Sequence, residues 1–253
     1  TTGNRQGYRT VSVVETSGTV VVVKEGIEYP AYSGMKLQEG YSIVTTGNSY
    51  ARLVLDGDKY VKLESGSKMV FETLGFLGSG KTTLNLERGS MTSELVSPLK
   101  ENEEYVVNTP NAVLAVRGTY FRLDLTPTED GELVMDVMTY GGTVSTQRVL
   151  PNGEVQEEKV LVDAGYKVCI NMDEENTSYV VDGKKTEDIT EVENAETITL
   201  QDIPDEDMVD IYFSVQNGHE LFITEEKAAE DIDNRDIDVE EYTPVYETAK
   251  EVL

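Results

Sequence analysis

Short runs in which apolar and polar side chains alternate, each closed by glycine, asparagine or aspartate, constrain this chain more than any other feature. In YARLVLD (residues 50–56), Ala51, Leu53 and Leu55 fall on one side of an extended backbone, with Arg52 and Val54 on the other. In KYVKLE (59–64), Val61 and Leu63 share a face, while Lys62 and Glu64 are opposed to it or at its edge. A period of two belongs to a pleated strand with one face in a core. The pattern runs from TVSVVET and GTVVVVKEG through YSIVTT, KMVFETL, TTLNLERG, EYVVNT, AVLAVRG, TYFRLDL, ELVMDVMTY, GGTVSTQRVL and EVQEEKVLV to YKVCIN. Asp56-Gly57, Asp130-Gly131, Asn152-Gly153 and Asp182-Gly183 are dipeptides that accept positive φ in tight hairpins. Strands this closely spaced, with no helical pattern between them, predict a largely antiparallel or coiled all-β architecture and argue against a parallel α/β sheet.

The 253 residues suffice for one large β-domain or two smaller ones with a real core. Lys and Arg number 21 against 48 Asp and Glu, a formal net charge of −27. A field of that sign repels nucleic acid and anionic lipid, so neither is expected as a direct partner. The charge is concentrated: residues 1–171 carry 16 basic and 22 acidic residues, whereas residues 172–253 carry 5 and 26. A change of structural role is therefore expected near residue 172. No apolar run of about 18 residues is present, so the chain is not expected to insert directly into a membrane. It shows no signal-peptide pattern and opens on TTGNRQGYRT without Met, which reads as a mature or trimmed product.

LGFLGSGKTT (74–83) contains the spacing of a phosphate loop: Gly75, then Gly80, Lys81 and Thr82. That motif works only between a buried parallel strand and a long helix. Here SKMVFETLG precedes it with polar–apolar alternation, and Leu84 and Leu86 continue the alternation after it, with Gly89 expected to stop the run. The segment is accordingly read as a glycine-rich hairpin tip. Nucleotide binding through residues 75–82 is a remote alternative.

EYVVNTPNAVLAVRGTYFRLDL (104–125) is distinctive: a strand ending at Thr109-Pro110, a turn, then a strand interrupted at Arg117-Gly118-Thr119 before Phe121. It resembles the signature of the FecR domain family. GMKLQEGYSIVTTGNSYARLVL (34–55) and LNLERGSM (84–91) resemble the family's upstream blocks. YGGTVSTQ (140–147) and VDAGYKVCI (162–170) resemble its closing strands, so the resemblance spans about residues 8–171. It implies a FecR-type antiparallel β-sandwich or β-solenoid-like domain. It also implies an extracytoplasmic regulator that reads an envelope or surface protein partner and takes part in signalling across the membrane, anchored in the full-length protein. Within the motif, Gly118 is expected to mark a bulge or a close backbone approach. Pro110 is expected to fix a turn, and Arg117 to clamp turns together if its head is buried. Tyr120 and Phe121 point to opposite faces, one expected in the core and the other at the surface.

Past the β-domain, residues 172–200 read as an additional hairpin or strands. Residues 201–233 read as a short helical segment. Asp205, Glu206 and Asp207 suit a helix's first turn, Met208, Ile211, Tyr212 and Val215 fall at helical spacing, and Asn217-Gly218 makes a stop. A second helix is expected over 223–232 with Thr224 as its N-cap, and 234–253 reads as an acidic extended tail or linker. Cys169 is expected to be a small buried strand residue, and His219, the only histidine, a surface or capping residue. Asp231, Asp233, Asp236 and Asp238 could attract Ca²⁺ but lack the glycine and terminal Glu of an EF-hand loop.

No catalytic constellation is recognisable, and no cofactor or metal is expected. The leading expectation is a non-enzymatic FecR-like sensing or protein-interaction module of a bacterial envelope or surface protein, located outside the cytoplasm. A surface scaffold, adhesin-like or carbohydrate-binding β-module, possible calcium tuning included, stays open beside it.

Overall fold

The computed structural model describes residues 7–171, 185–186, 189–191 and 196–253. The first strands are β1 (Val11–Ser17), β2 (Val20–Lys24), β3 (Ile27–Pro30), β4 (Lys36–Leu37), β5 (Ser42–Thr45), β6 (Tyr50–Leu55), β7 (Lys59–Leu63) and β8 (Lys68–Thr73). They are followed by β9 (Lys81–Leu95), β10 (Glu104–Asn108), β11 (Ala112–Val116), β12 (Tyr120–Pro127), β13 (Leu133–Gly141) and β14 (Thr143–Arg148). The series ends with β15 (Lys159–Asp163), β16 (Tyr166–Asn171), β17 (Lys185–Thr186), β18 (Ile189–Glu191) and β19 (Glu196–Thr197). The alternation expected from sequence thus becomes an all-β body with a small helical extension.

The strands form two layers. The front layer runs β4–β1–β6–β7–β9–β12–β13–β16–β19, and the back layer runs β3–β2–β5–β8–β9–β10–β11–β14–β15–β18–β17. Among the described residues, pairing is antiparallel except for β9–β10 and β15–β18. Strand β9 belongs to both layers. Arg88 still pairs with Lys68 of the back layer, whereas Gly89 pairs with Leu125 of the front layer. The expectation that Gly89 ends the run is therefore corrected: the strand continues and bends there. Gly89 has φ of +85°, and an added Cβ would lie 2.5 Å from the Cα of Ser67. Only glycine fits a bend made this close to another backbone.

Four-strand units recur. Strands β5 to β8 pass from back layer to front, form the β6–β7 hairpin, and return so that β8 pairs with β5. Strands β11 to β14 repeat the path, with a β12–β13 hairpin and a β11–β14 pair. The repetition is also written in sequence: SYARLVL (49–55) and TYFRLDL (119–125) take equivalent places. Leu53, Leu63, Phe71, Leu114, Phe121 and Val137 from both layers meet in one core between them. The turn dipeptides behave as expected, with positive φ at Asp56, Gly57, Gly131 and Gly153. Asp182-Gly183 lies outside the described residues, as does most of the hairpin expected over 172–200.

Helices α1 (Asp205–Gln216), α2 (Glu225–Asn234) and α3 (Val245–Val252) cover the outer face of the front layer. The first two match expectation, including the Thr224 cap, whose side chain accepts from the Lys227 amide. The third corrects the reading of 234–253 as an extended tail. Val245 and Ala249 of α3 pack on Val14 and Val54 of β1 and β6, and a helix over eight residues survives on that burial rather than on its own propensity. Among the described residues, no helix is long and apolar enough to cross a membrane.

Candidate functional site

Strand pairing fixes which side chains share a row on the helix-covered face. Glu15 pairs with Arg52, Arg52 with Lys62, Lys62 with Thr92, Thr92 with Arg122, Arg122 with Met138, Met138 with Lys167, and Lys167 with Glu196. Directly opposed residues point to the same side. The front layer therefore carries four cations, Arg52, Lys62, Arg122 and Lys167, along one line across its strands. The sequence placed Arg52 and Lys62 on the face away from the core or at its edge. Instead the extension lies over them, and Lys62 is only 3% exposed.

Each cation meets a carboxylate of the extension. Arg52 Nη1 lies 3.0 Å from Asp210 Oδ2, Lys62 Nζ contacts Glu206, Arg122 Nη1 lies 3.1 Å from Asp207 Oδ2, and Lys167 Nζ lies 2.9 Å from Asp202 Oδ1. Each also has a carboxylate on the sheet: Glu15 at 3.5 Å from Arg52, Glu64 at 3.2 Å from Lys62, Asp124 at 2.8 Å from Arg122 and Glu196 at 3.4 Å from Lys167. Burial alone would lower the pKa of Lys62, but the charges of Glu64 and Asp210 outweigh it and hold the group above the ordinary lysine value. Burial likewise opposes ionisation of Glu206, yet the Lys62 hydrogen bond and charge win and its pKa is lowered. Asp207, fully buried, goes the other way: desolvation raises its pKa despite Arg122 and the 2.7 Å hydrogen bond that Tyr140 donates to it. Buried ion pairs of this kind come close to cancelling their own desolvation. Burial of Met208 and Ile211 against Tyr120, Met138 and Tyr140, at about 1.5–3 kcal/mol per side chain, supplies the holding energy, and the charges set the register.

A second polar knot lies one row over, around Glu94 of β9. Its carboxylate accepts from Ser214 of α1 and Tyr246 of α3 and contacts His219 Nδ1 at 2.7 Å. His219 is thus a bracket between helices and sheet: its amide donates to the Ser214 carbonyl at the end of α1, in line with the capping alternative, while the reading as an ordinary surface residue is corrected. Ser214 Oγ and His219 Nδ1, 2.8 Å apart, address the same Glu94 oxygen, and Ser214 is wholly buried. This is a structural junction, not a nucleophile poised beside a base. A cleft of about 500 Å³ opens beside the ladder between Tyr50, Arg52, Glu206, Tyr242 and Glu247.

The sequence-motif residues do not converge. Thr109 and Pro110 form the turn before β11, and Arg117, Gly118 and Thr119 the turn after it, about 16 Å away at ~3.3 Å per strand residue. Thr109 Oγ1 accepts from the Ala112 amide at 3.0 Å, and Asn111 Nδ2 donates to the carbonyls of Leu133 and Ile170. Gly118 has φ of +97° and passes Pro98, and Thr119 Oγ1 donates to the Thr143 carbonyl at 3.1 Å. Arg117 is exposed and makes no hydrogen bond or ion pair with the described residues, so the clamp expected there is absent. The clamp is Arg9. It is 3% exposed and donates to the carbonyls of Leu74 and Lys81, to Thr82 Oγ1 and to both oxygens of Asp56. Tyr120 and Phe121 do point to opposite faces, but neither is at the surface: Phe121 enters the central core and Tyr120 is buried under the helices.

Residues 74–80 connect β8 to β9, and Lys81 is the first residue of β9, so a strand and not a helix follows the glycines. The amides of Leu74 and Gly75 donate to the carboxylate of Glu39 at 2.9 and 3.0 Å, and Lys81 points to Glu104 at 3.8 Å. A carboxylate holds the loop where a phosphate site would need free N–H groups. Cys169 is exposed, not buried, and partial burial with the neighbouring Asp136 pushes its thiol up to about 11. Asp231 is engaged by Arg235 at 2.7 Å, and no group of three metal-binding side chains forms among the described residues.

The ladder escaped sequence reading because no single segment contains it. One signal could have found it: the repeated Tyr-x-Arg-Leu-x-Leu at 50–55 and 120–125 puts Arg52 and Arg122 in equivalent outward positions.

Residues 41–145 match the family model described as FecR protein, a stretch that covers the first four-strand unit and all but the last three residues of the second. Two crystal structures of a candidate anti-sigma factor from Parabacteroides distasonis, at 1.65 and 2.50 Å resolution, are similar in fold, each with 17% identity and a TM-score of 0.42. The similarity covers 53% of this chain and 56% and 55% of those chains, so it spans little more than half of their length. No curated protein matches the chain.

Proposed function

We propose that this chain, whose residues 41–145 form a FecR-family domain, is a non-enzymatic regulatory module that binds another protein outside the cytoplasm. The observation that carries this reading is the family match itself, laid over the repeated unit whose outward arginines build the ion-paired face. The chemistry of that face supports it. Cations each held between carboxylates recognise shape and charge, whereas catalysis needs a group left free to take or give a proton. The charge of −27 further supports a protein partner over nucleic acid or an anionic lipid surface.

Photo-crosslinking side chains placed around the exposed surface, in the bacterium that produces the protein, test the reading. A discrete crosslinked protein recovered from a contiguous set of positions is the expected result. A fused alkaline phosphatase should be active, as it is only outside the cytoplasm. Crosslinks to solvent and self alone, or an inactive phosphatase with an active cytoplasmic reporter, would count against it.

A further inference from the structure

We infer that the outer face of the front layer is a docking surface for an acidic amphipathic helix of a partner protein, and that residues 198–253 occupy it as a built-in competitor. The inference rests on the reading of the chain as a protein-interaction module and specifies the chemistry of its partner.

Three observations lead to it. First, every cation of the ladder has carboxylate partners on both the sheet and the extension, and Arg122 has a second one on the sheet side, Glu64 at 3.5 Å. When the extension lifts, Glu15, Glu64, Asp124 and Glu196 remain beside Arg52, Lys62, Arg122 and Lys167. No cation is left bare, which is the usual penalty for breaking a buried pair. Second, the central core between the layers contains no residue of the extension. The extension joins the body through separate, smaller apolar clusters around Met208, Ile211 and Val245. Third, the contact mixes an apolar centre with charge pairs, the composition of an exchangeable interface and not of an obligate one.

The occupant is defined by α1. Carboxylates at Glu206, Asp207 and Asp210 meet the ladder, and Met208 and Ile211 enter the patch of Tyr120, Met138 and Tyr140. A partner helix with two acidic residues in its first turn, a third one turn later and apolar residues between them offers the same complement. Because both would need the same cations, partner and extension exclude each other. The affinity of the free face is reduced by the fraction of time the extension covers it.

The test uses the full chain with Glu206→Lys and Asp210→Lys, and a fluorescent peptide of sequence IPDEDMVDIYFSVQNG. The peptide is expected to bind the variant at least tenfold tighter than the unaltered chain, and a peptide with lysines at the same two positions is expected not to bind. Equal binding to both chains, or amide protection of α1 in the variant as strong as in the unaltered chain, would overturn the inference. A second measurement does not depend on the variant folding. Excess peptide added to the unaltered chain should accelerate amide exchange in α1 while leaving β9 and β12 unchanged, and no acceleration also overturns it. Partner crosslinks confined to the back layer would overturn this inference while leaving the broader reading standing.

Discussion

Asp207 Oδ2 accepts hydrogen bonds from both Arg122 Nη1, at 3.1 Å, and Tyr140 Oη, at 2.7 Å, and so ties the first turn of α1 to two neighbouring strands of the front layer. The carboxylate is wholly buried. Its removal leaves the buried Tyr140 hydroxyl without an acceptor, whereas Arg122 keeps Asp124 at 2.8 Å and Glu64 at 3.5 Å.

Replacing Asp207 by Ala is therefore expected to destabilise the chain by about 1–3 kcal/mol. Replacing Asp207 by Leu together with Tyr140 by Phe should recover most of that, because the double change removes donor and acceptor together and leaves Arg122 on Asp124. Urea denaturation of the three proteins measures the difference. A double variant no more stable than the single one would show that the stranded hydroxyl is not what the single change costs.

Acid should loosen the extension. The pKa of Asp202 is lowered by its Lys167 hydrogen bond, and that of Glu206 by Lys62, which outweighs burial, from ordinary values of 3.8 and 4.5. A depressed folded pKa contributes stability that is complete above the unfolded value and lost as pH falls through the folded one. Stability is thus expected to be flat from these two groups down to about pH 5 and to fall below about pH 4. The raised pKa of Asp207 has the opposite sign: its contribution is largest when protonated and shrinks as pH rises through the folded value. Urea midpoints measured from pH 3 to 7 should show the acid limb, and Glu206→Gln should flatten it.

At the bend of β9, Gly89→Ala is expected to cost several times more than Gly131→Ala. Both residues have positive φ, so both substitutions incur left-handed strain of about 1–2 kcal/mol. A Cβ at Gly131 meets open space, whereas one at Gly89 would collide with Ser67 backbone. Thermal melts of the two variants provide the comparison, and equal shifts would mean that the layers part easily there.

For the 74–83 loop, calorimetry with Mg-ATP should give no binding heat, and Lys81→Ala should leave the melting temperature unchanged. Arg9→Ala should lower stability by about 3 kcal/mol, since it strips carbonyls and Asp56 of their buried partner. Nucleotide binding abolished by Lys81→Ala would reverse the assignment.

Although exposed, Cys169 should alkylate slowly. With its pKa pushed up to about 11 by burial and by Asp136, the thiolate fraction at pH 8 is about a hundredth or less of that of an unperturbed cysteine. Iodoacetamide kinetics against pH measure this, and Asp136→Asn should speed the reaction.

The strands and the first two helices were legible because their signals are local. Met208, Ile211, Tyr212 and Val215 repeat at helical spacing, and Ala51, Leu53 and Leu55 at strand spacing. The second half of β9 was not. Ser90, Thr92, Ser93 and Glu94 blur its alternation, and Ser93 is buried only because Tyr105 Oη lies 2.8 Å away on another strand. The α3 helix was missed for the same kind of reason: Val245 and Ala249 look sparse until Val14 and Val54 are placed beneath them.

By itself, then, the sequence determined periodicity and turn chemistry, and with them an all-β body, its family resemblance and the absence of a phosphate-loop helix. These depend on neighbours a few positions apart, which any reader of the chain can see. Only the tertiary structure decided that Arg52, Lys62, Arg122 and Lys167 stand in one row and that the acidic end of the chain lies on them. The physical reason is that such a row is made by strand register and chain path: Arg52 and Asp210 are 158 positions apart, and no local rule brings them together.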